Sequence, residues 1–124
     1  MELIIGGAYQ GKTQYAKNKY NLTENDICFC NSTEINFSKK CIDNLEQFTL
    51  CCVQNNVDAV EFFKQNKNLW NDNVIICRDI FCGVVPMGAD NRKWRQETGR
   101  LCQYLSKEAA SVTRIFCGLE QKLK

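Results

Sequence analysis

An α/β fold in three layers around a mainly parallel sheet is what the sequence predicts, on three observations. Short apolar runs recur along the chain with helix-permissive segments between them, the alternation that builds parallel sheets. The first run ends in a glycine turn that opens directly into a helical segment. Two later runs are followed by an aspartate, Asp43 and Asp79, and in an open parallel sheet such strand ends lie on the side of that turn.

Taken in order, Glu2 to Ile5 is the first strand, apolar enough to be buried on both faces. The helix after the turn runs to about Lys19, with Tyr15, Ala16 and Lys19-Tyr20 at helical spacing, and residues 21–25 form a polar loop. Asp26 to Cys30 is a second short apolar run, a neighbouring parallel strand. Residues 31–40 are polar and without period, hence a loop. Lys40 to Asp43 is a weak third strand that ends on its acid. Asn44 to Cys52 is compatible with a helix, and Val57 to Lys67 is a better amphipathic one, punctuated by Asn55-Asn56 and Asn71-Asp72-Asn73. Val74 to Cys77 is the clearest strand after the first. Residues 81–88 form a loop with the only proline, Pro86. Asp90 to Lys107 is a long helix, with Asp90 as its cap and Trp94, Leu101 and Leu105 on one face. Val112 to Cys117 is the last strand, and residues 118–124 are a tail. No repeat or linker divides the chain, so residues 1–124 are expected to form one domain.

The glycine turn carries chemistry. Gly6 to Thr13 reads Gly-Gly-Ala-Tyr-Gln-Gly-Lys-Thr, a Walker A pattern between a strand and a helix, which makes the expected fold P-loop NTPase-like. Gly6 and Gly11 permit backbone conformations and close approaches that a Cβ would block. The N–H groups along Gly7, Ala8 and Gln10 are expected to turn around phosphate oxygens, aided by the positive end of the following helix. Lys12 then reaches the β- and γ-phosphates, and the Thr13 hydroxyl holds Mg2+. Chance produces this string in well under about 1% of chains of this length. A glycine turn with an exposed lysine is the bland alternative. The Asn66-Lys67-Asn68 triplet is no guanine-reading motif, because Leu69 stands where an aspartate is needed.

Composition sets bounds. A net charge of +2 is too small to argue for nucleic acid or a membrane surface as partner. No apolar run has the length of a transmembrane helix, and the chain opens on strand and glycine turn, so a cytoplasmic protein is expected. Nine cysteines sit mostly in apolar runs (Cys28, Cys30, Cys51, Cys52, Cys77, Cys117), where thiols act as small buried hydrophobes. Their spacings are not those of a zinc site, and the chain has no histidine to complete a mixed one.

A P-loop kinase needs a carboxylate at a strand end for the Mg2+ shell or the acceptor hydroxyl. Asp43 and Asp79 both qualify, and Asp79, after the stronger strand, is expected to matter more. A helix cap or an ion pair with Arg78 is the structural alternative. Arg92 and Arg95, near the start of the long helix, are candidates to meet phosphate.

At this point the chain resembles the bifunctional adenosylcobinamide kinase / adenosylcobinamide-phosphate guanylyltransferases. The turn Gly6-Gly7-Ala8 … Gly11-Lys12-Thr13 is similar to that family's Gly-Gly-Ala-Arg-Ser-Gly-Lys-Ser. Gly83-Val84-Val85-Pro86, then Arg92, Trp94, Arg95, Gly99-Arg100, Gln103, Leu105, Ala109 and Val112 keep the order and spacing of its C-terminal third, and Gly118 and Lys124 sit in its tail. Asp79 falls on the acid of the family's Asn-Glu-Val-Gly, and Ile42-Asp43-Asn44-Leu45 more weakly resembles Leu-Asp-Cys-Leu. Tyr9-Gln10, Gln96, Cys102 and Ala110 depart from the pattern. So does the stretch 31–40, where the family carries a long helical segment with the histidine that becomes guanylylated.

The resemblance implies transfer of the γ-phosphate of ATP or GTP to the aminopropanol hydroxyl of adenosylcobinamide, a corrinoid, and a homotrimer. Guanylyl transfer is not expected without the histidine. A nucleotide-binding module without turnover, and a small kinase with another acceptor, are the alternatives.

Overall fold

The computed structural model describes residues 1–80 and 89–124, apart from the side chains of 89 and 90. The expected loop at 81–88, with Pro86 and the Gly83 to Pro86 match, and the Asp90 side chain as cap lie outside what is described. The chain forms β1 (Glu2–Gly6), α1 (Lys12–Tyr20), β2 (Ile27–Phe29), β3 (Cys41–Asp43), α2 (Leu45–Gln54), α3 (Ala59–Gln65), the one-turn α4 (Lys67–Trp70), β4 (Val74–Arg78), α5 (Ala89–Glu108), β5 (Ser111–Phe116) and β6 (Leu119–Lys122). The strands build one sheet in the order β2-β3-β4-β1-β5-β6. Among the described residues all pairings are parallel except β5 with β6. The fold is α/β with a mainly parallel sheet, as the alternation of runs predicts.

Period-2 alternation along the central strands feeds two cores. On one face Leu3, Ile42, Ile75, Cys77 and Val112 pack under α2, α3 and α5 through Leu45, Phe48, Phe63, Leu101 and Leu105. On the other, Ile4, Ile27, Cys41, Val74, Ile76 and Ile115 pack under α1 and the turn after it, through Ala16 and Leu22. This makes the three layers. Burial of a side chain such as Phe63 or Leu105, each fully enclosed, stabilises the first core by about 1.5–3 kcal/mol. The α2–α5 contact also carries a buried polar link, Thr49 to Thr98, whose hydroxyls are 2.6 Å apart.

Several expectations need correction. The second strand, β2, is not beside β1 but at the sheet edge, three places away, with β3 and β4 between. The amphipathic run from Val57 breaks at Asn66 into α3 and α4. The tail is a strand: Cys117 (φ 52) and Gly118 (φ 76) make a two-residue left-handed turn that folds β6 back on β5, the twist a hairpin favours. All four β6 residues are exposed, so this edge strand has no apolar alternation to announce it. For the same reason Cys117 is not a buried thiol but an exposed turn residue, whereas Cys30, Cys41, Cys52, Cys77 and Cys102 are buried. Burial lifts the Cys52 thiol to about 12, so it stays protonated and packs as a hydrophobe.

Candidate active site

The site grows from β1, which delivers the chain to the C-terminal edge of the sheet between its parallel neighbours β4 and β5. Gly6 is required there by a close approach. A Cβ at this position would lie 2.5 Å from the Ile115 carbonyl oxygen of β5. The turn then passes Tyr9, a non-glycine residue at φ 59 and fully exposed, and reaches Gly11 at φ 92, a conformation that disfavours any side chain. The β5–β6 turn braces this loop. The Cys117 N–H donates to Gln10 Oε1 (2.5 Å), and the Gly118 N–H donates to the Gln10 carbonyl (2.9 Å).

Helix α1 begins at Lys12, and its first two side chains point into one cleft. Lys12 Nζ donates to the Gly7 carbonyl at 2.7 Å. Desolvation pulls its ammonium below the usual lysine range, partly opposed by the carboxylates of Glu46 and Asp43. Thr13 Oγ1 donates to Asp43 Oδ2 at 2.6 Å. Asp43 is buried at the end of β3, and its other oxygen accepts the Asn44 N–H at 2.6 Å. Asn44, at φ 58, turns the chain from β3 straight into α2.

Glu46, in the first turn of α2, is the second buried acid. Its Oε1 accepts the Arg78 N–H at the end of β4 (2.9 Å), and its carbonyl accepts Trp94 Nε1 of α5 (2.7 Å). Through its side chain and its backbone carbonyl, this one residue ties α2, β4 and α5 together at the rim of the site. With Ala8, Tyr9, Lys12, Thr13, Asp43, Asn44, Gln47 and Arg78 it lines a cleft of about 530 Å3.

The structure therefore brings together Gly6, Gly7, Ala8, Gln10, Gly11, Lys12, Thr13 and Asp43. Asp79 stands next to the loop by its backbone, its N–H donating to the Gly6 carbonyl at 2.7 Å, and is half-buried. Arg92 is exposed and Arg95 half-buried on α5, and neither lines this cleft. Arg95 instead lines grooves along α5, including one of about 700 Å3 shared with α2 and the start of α3. Besides Lys12, Arg78 is a cation that lines the cleft, and the sequence offers it only as an ion-pair partner for Asp79. Glu46 was not singled out, because an acid in a helix first turn reads as an ordinary dipole partner.

These residues are a glycine turn with a lysine, a hydroxyl and two carboxylates at its rim, a set of groups that suits phosphoryl chemistry. A family model described as cobinamide kinase / cobinamide phosphate guanyltransferase matches residues 39–123. The chain belongs to that family.

The family's transfer reactions belong to cobalamin biosynthesis and use nucleoside triphosphates. The cobinamide kinase / guanyltransferase match takes in β3 to β6, and so Asp43, Glu46, Arg78, Asp79, Arg92 and Arg95, while the Gly6 to Thr13 turn precedes it. No curated protein matches the chain. Among the described residues no helix is long and apolar enough to cross a membrane.

Proposed function

We propose that this family member is a P-loop kinase that transfers the γ-phosphate of ATP or GTP to the aminopropanol hydroxyl of adenosylcobinamide, and that it does not transfer GMP. The observation that carries this reading is the Thr13–Asp43 hydrogen bond beside Lys12 at the end of a Walker A turn. It brings together, from two segments distant in sequence, parts that phosphoryl transfer needs.

Gly7, Ala8, Gln10 and Gly11 present backbone N–H groups to the phosphates. Lys12 sits where its ammonium trades the Gly7 carbonyl for β- and γ-phosphate oxygens. Thr13 and Asp43 offer hard oxygen donors, the set that suits Mg2+, with Asp79 as a further acid at the next strand end. Bound Mg2+ neutralises charge on the β- and γ-phosphates. Arg78, at the cleft rim, steadies negative charge on the transferring group, a task the sequence assigns to Arg92 or Arg95. Glu46, which lines the same cleft, is proposed to accept the proton of the attacking hydroxyl. Positioning and charge neutralisation supply most of the rate.

Guanylyl transfer by the family's histidine route has no nucleophile here, since the chain contains no histidine. The lysines nearest the family's histidine position are otherwise engaged. Lys39 Nζ donates to the Asn25 carbonyl at 2.7 Å, and Lys40 faces Asp26 at 4.0 Å. The test is isotopic. With γ-labelled nucleotide, label is expected to pass to cobinamide; with α-labelled GTP, the polypeptide is expected to stay unlabelled. Acid-labile GMP on the chain would overturn the second half of the proposal.

A further inference from the structure

We infer that the nucleoside end of the triphosphate lodges between α1 and the β5–β6 hairpin, where Glu120 selects guanine over adenine; this rests on the P-loop reading above. The first step is polarity. Thr13, Asp43, Glu46 and Arg78 lie together on the β3–β4 side of the loop, so the γ-phosphate end belongs there. The loop's other flank is against β5 and its turn, with Gly11 beside Gly118. A triphosphate laid along the loop delivers its nucleoside to that flank.

The structure has a cleft of about 590 Å3 at this place, lined by Gly11, Gln14, Tyr15, Asn18, Gly118 and Glu120, with Lys19 at its end. Its size suits a nucleoside. Glu120 pairs with Ile115 in the sheet, and Ile115 packs on the α1 side, so the Glu120 side chain faces α1. Tyr15 Oη donates to Glu120 Oε2, and Lys19 Nζ donates to Tyr15 Oη at 3.2 Å. This relay fixes an exposed carboxylate at the cleft wall. Its other oxygen, Oε1, has no hydrogen-bond partner among the described residues.

An ionised carboxylate only accepts hydrogen bonds. Guanine presents two adjacent donors, N1–H and the 2-amino group, which match a carboxylate. Adenine presents a bare N1 acceptor on the same edge, which sets lone pair against lone pair. Asn18 adds to the discrimination. Its Oδ1 accepts from Gln14 Nε2 at 2.9 Å, which leaves its amide N–H2 to meet an acceptor, as guanine O6 is and the adenine 6-amino group is not.

Titration calorimetry of GTP, ATP and inorganic tripolyphosphate, with Mg2+ and the full chain, tests this against Glu120→Gln, Glu120→Ala, Tyr15→Phe and Lys12→Ala. The wild type is expected to bind GTP about tenfold or more tighter than ATP. Both Glu120 variants should bring that ratio close to one by weakening GTP, with tripolyphosphate affinity unchanged. Tyr15→Phe should move the ratio in the same direction by less. A wild-type preference for ATP, or a ratio unmoved in both Glu120 variants with native circular dichroism, overturns the subsite. An equal loss of tripolyphosphate in Glu120→Gln also overturns it, because the effect is then not on the base. If tripolyphosphate binds and Lys12→Ala abolishes that binding while the Glu120 variants change nothing, only the subsite fails. If Lys12→Ala has no effect, or no ligand binds the wild type, the P-loop reading falls and the subsite with it.

Discussion

Thr13 Oγ1 donates to Asp43 Oδ2 across 2.6 Å, which joins the first turn of α1 to the end of β3. β3 is not adjacent to β1; β4 lies between them. The acid that meets the hydroxyl therefore comes from the next strand but one, not from the strand beside the loop. Asp79, which leaves that nearer strand, meets the loop through its N–H to Gly6.

From this geometry we propose the opposite order to the one read from strand strength. Asp43→Asn is expected to lower Mg2+-dependent turnover by at least about tenfold, and by more than Asp79→Asn does. Steady-state rates at saturating nucleotide check it. The substitution is isosteric, so a folded protein is expected from both variants. A larger loss in Asp79→Asn would return the metal role to Asp79.

Lys12→Met is expected to weaken triphosphate binding strongly and to leave the melting temperature unchanged or raised. Folding lowers the Lys12 pKa, chiefly by desolvation, so the native state holds its proton less firmly than the unfolded chain. Such a base disfavours folding while charged, and the penalty is relieved as pH rises between its folded value and the unfolded value of about 10.5. The stability gain of Lys12→Met should therefore shrink as pH rises through that window. Calorimetric affinities and melting curves from pH 7 to 10.5 measure both effects. A markedly lower melting temperature at pH 7 would show that Lys12 serves the fold.

Gly6→Ala is expected to destabilise the protein by about 1–3 kcal/mol, because its Cβ meets the Ile115 carbonyl at 2.5 Å and must push β1 from β5. Gly118→Ala meets nothing within 4 Å and bears only the cost of φ 76, about 1–2 kcal/mol at most. Urea unfolding separates the two. Nucleotide affinity should fall for Gly6→Ala beyond what stability explains.

Much of the site was legible where chemistry is local in sequence. The turn from Gly6 to Thr13 is one continuous pattern, and its strand and helix flanks are both present. Asp43 was legible as a strand-end acid but not as the one beside Thr13, because strand order is set by long-range packing of Ile42 and Ile75, not by local signals. Glu46 was illegible for a similar reason. Its burial depends on the Arg78 amide and Trp94, which are 32 and 48 residues away. In β6, neither face is buried, so period-2 patterning had nothing to record.

The most direct measurement of the central claim is nucleotide consumption by the purified chain with Mg2+, with and without cobinamide. Consumption that rises on adding cobinamide, yields a phosphorylated corrinoid and disappears in Lys12→Met is the predicted result. Tight nucleotide binding with no consumption beyond background, whether or not cobinamide is present, would contradict it and leave a binding module in place of a kinase.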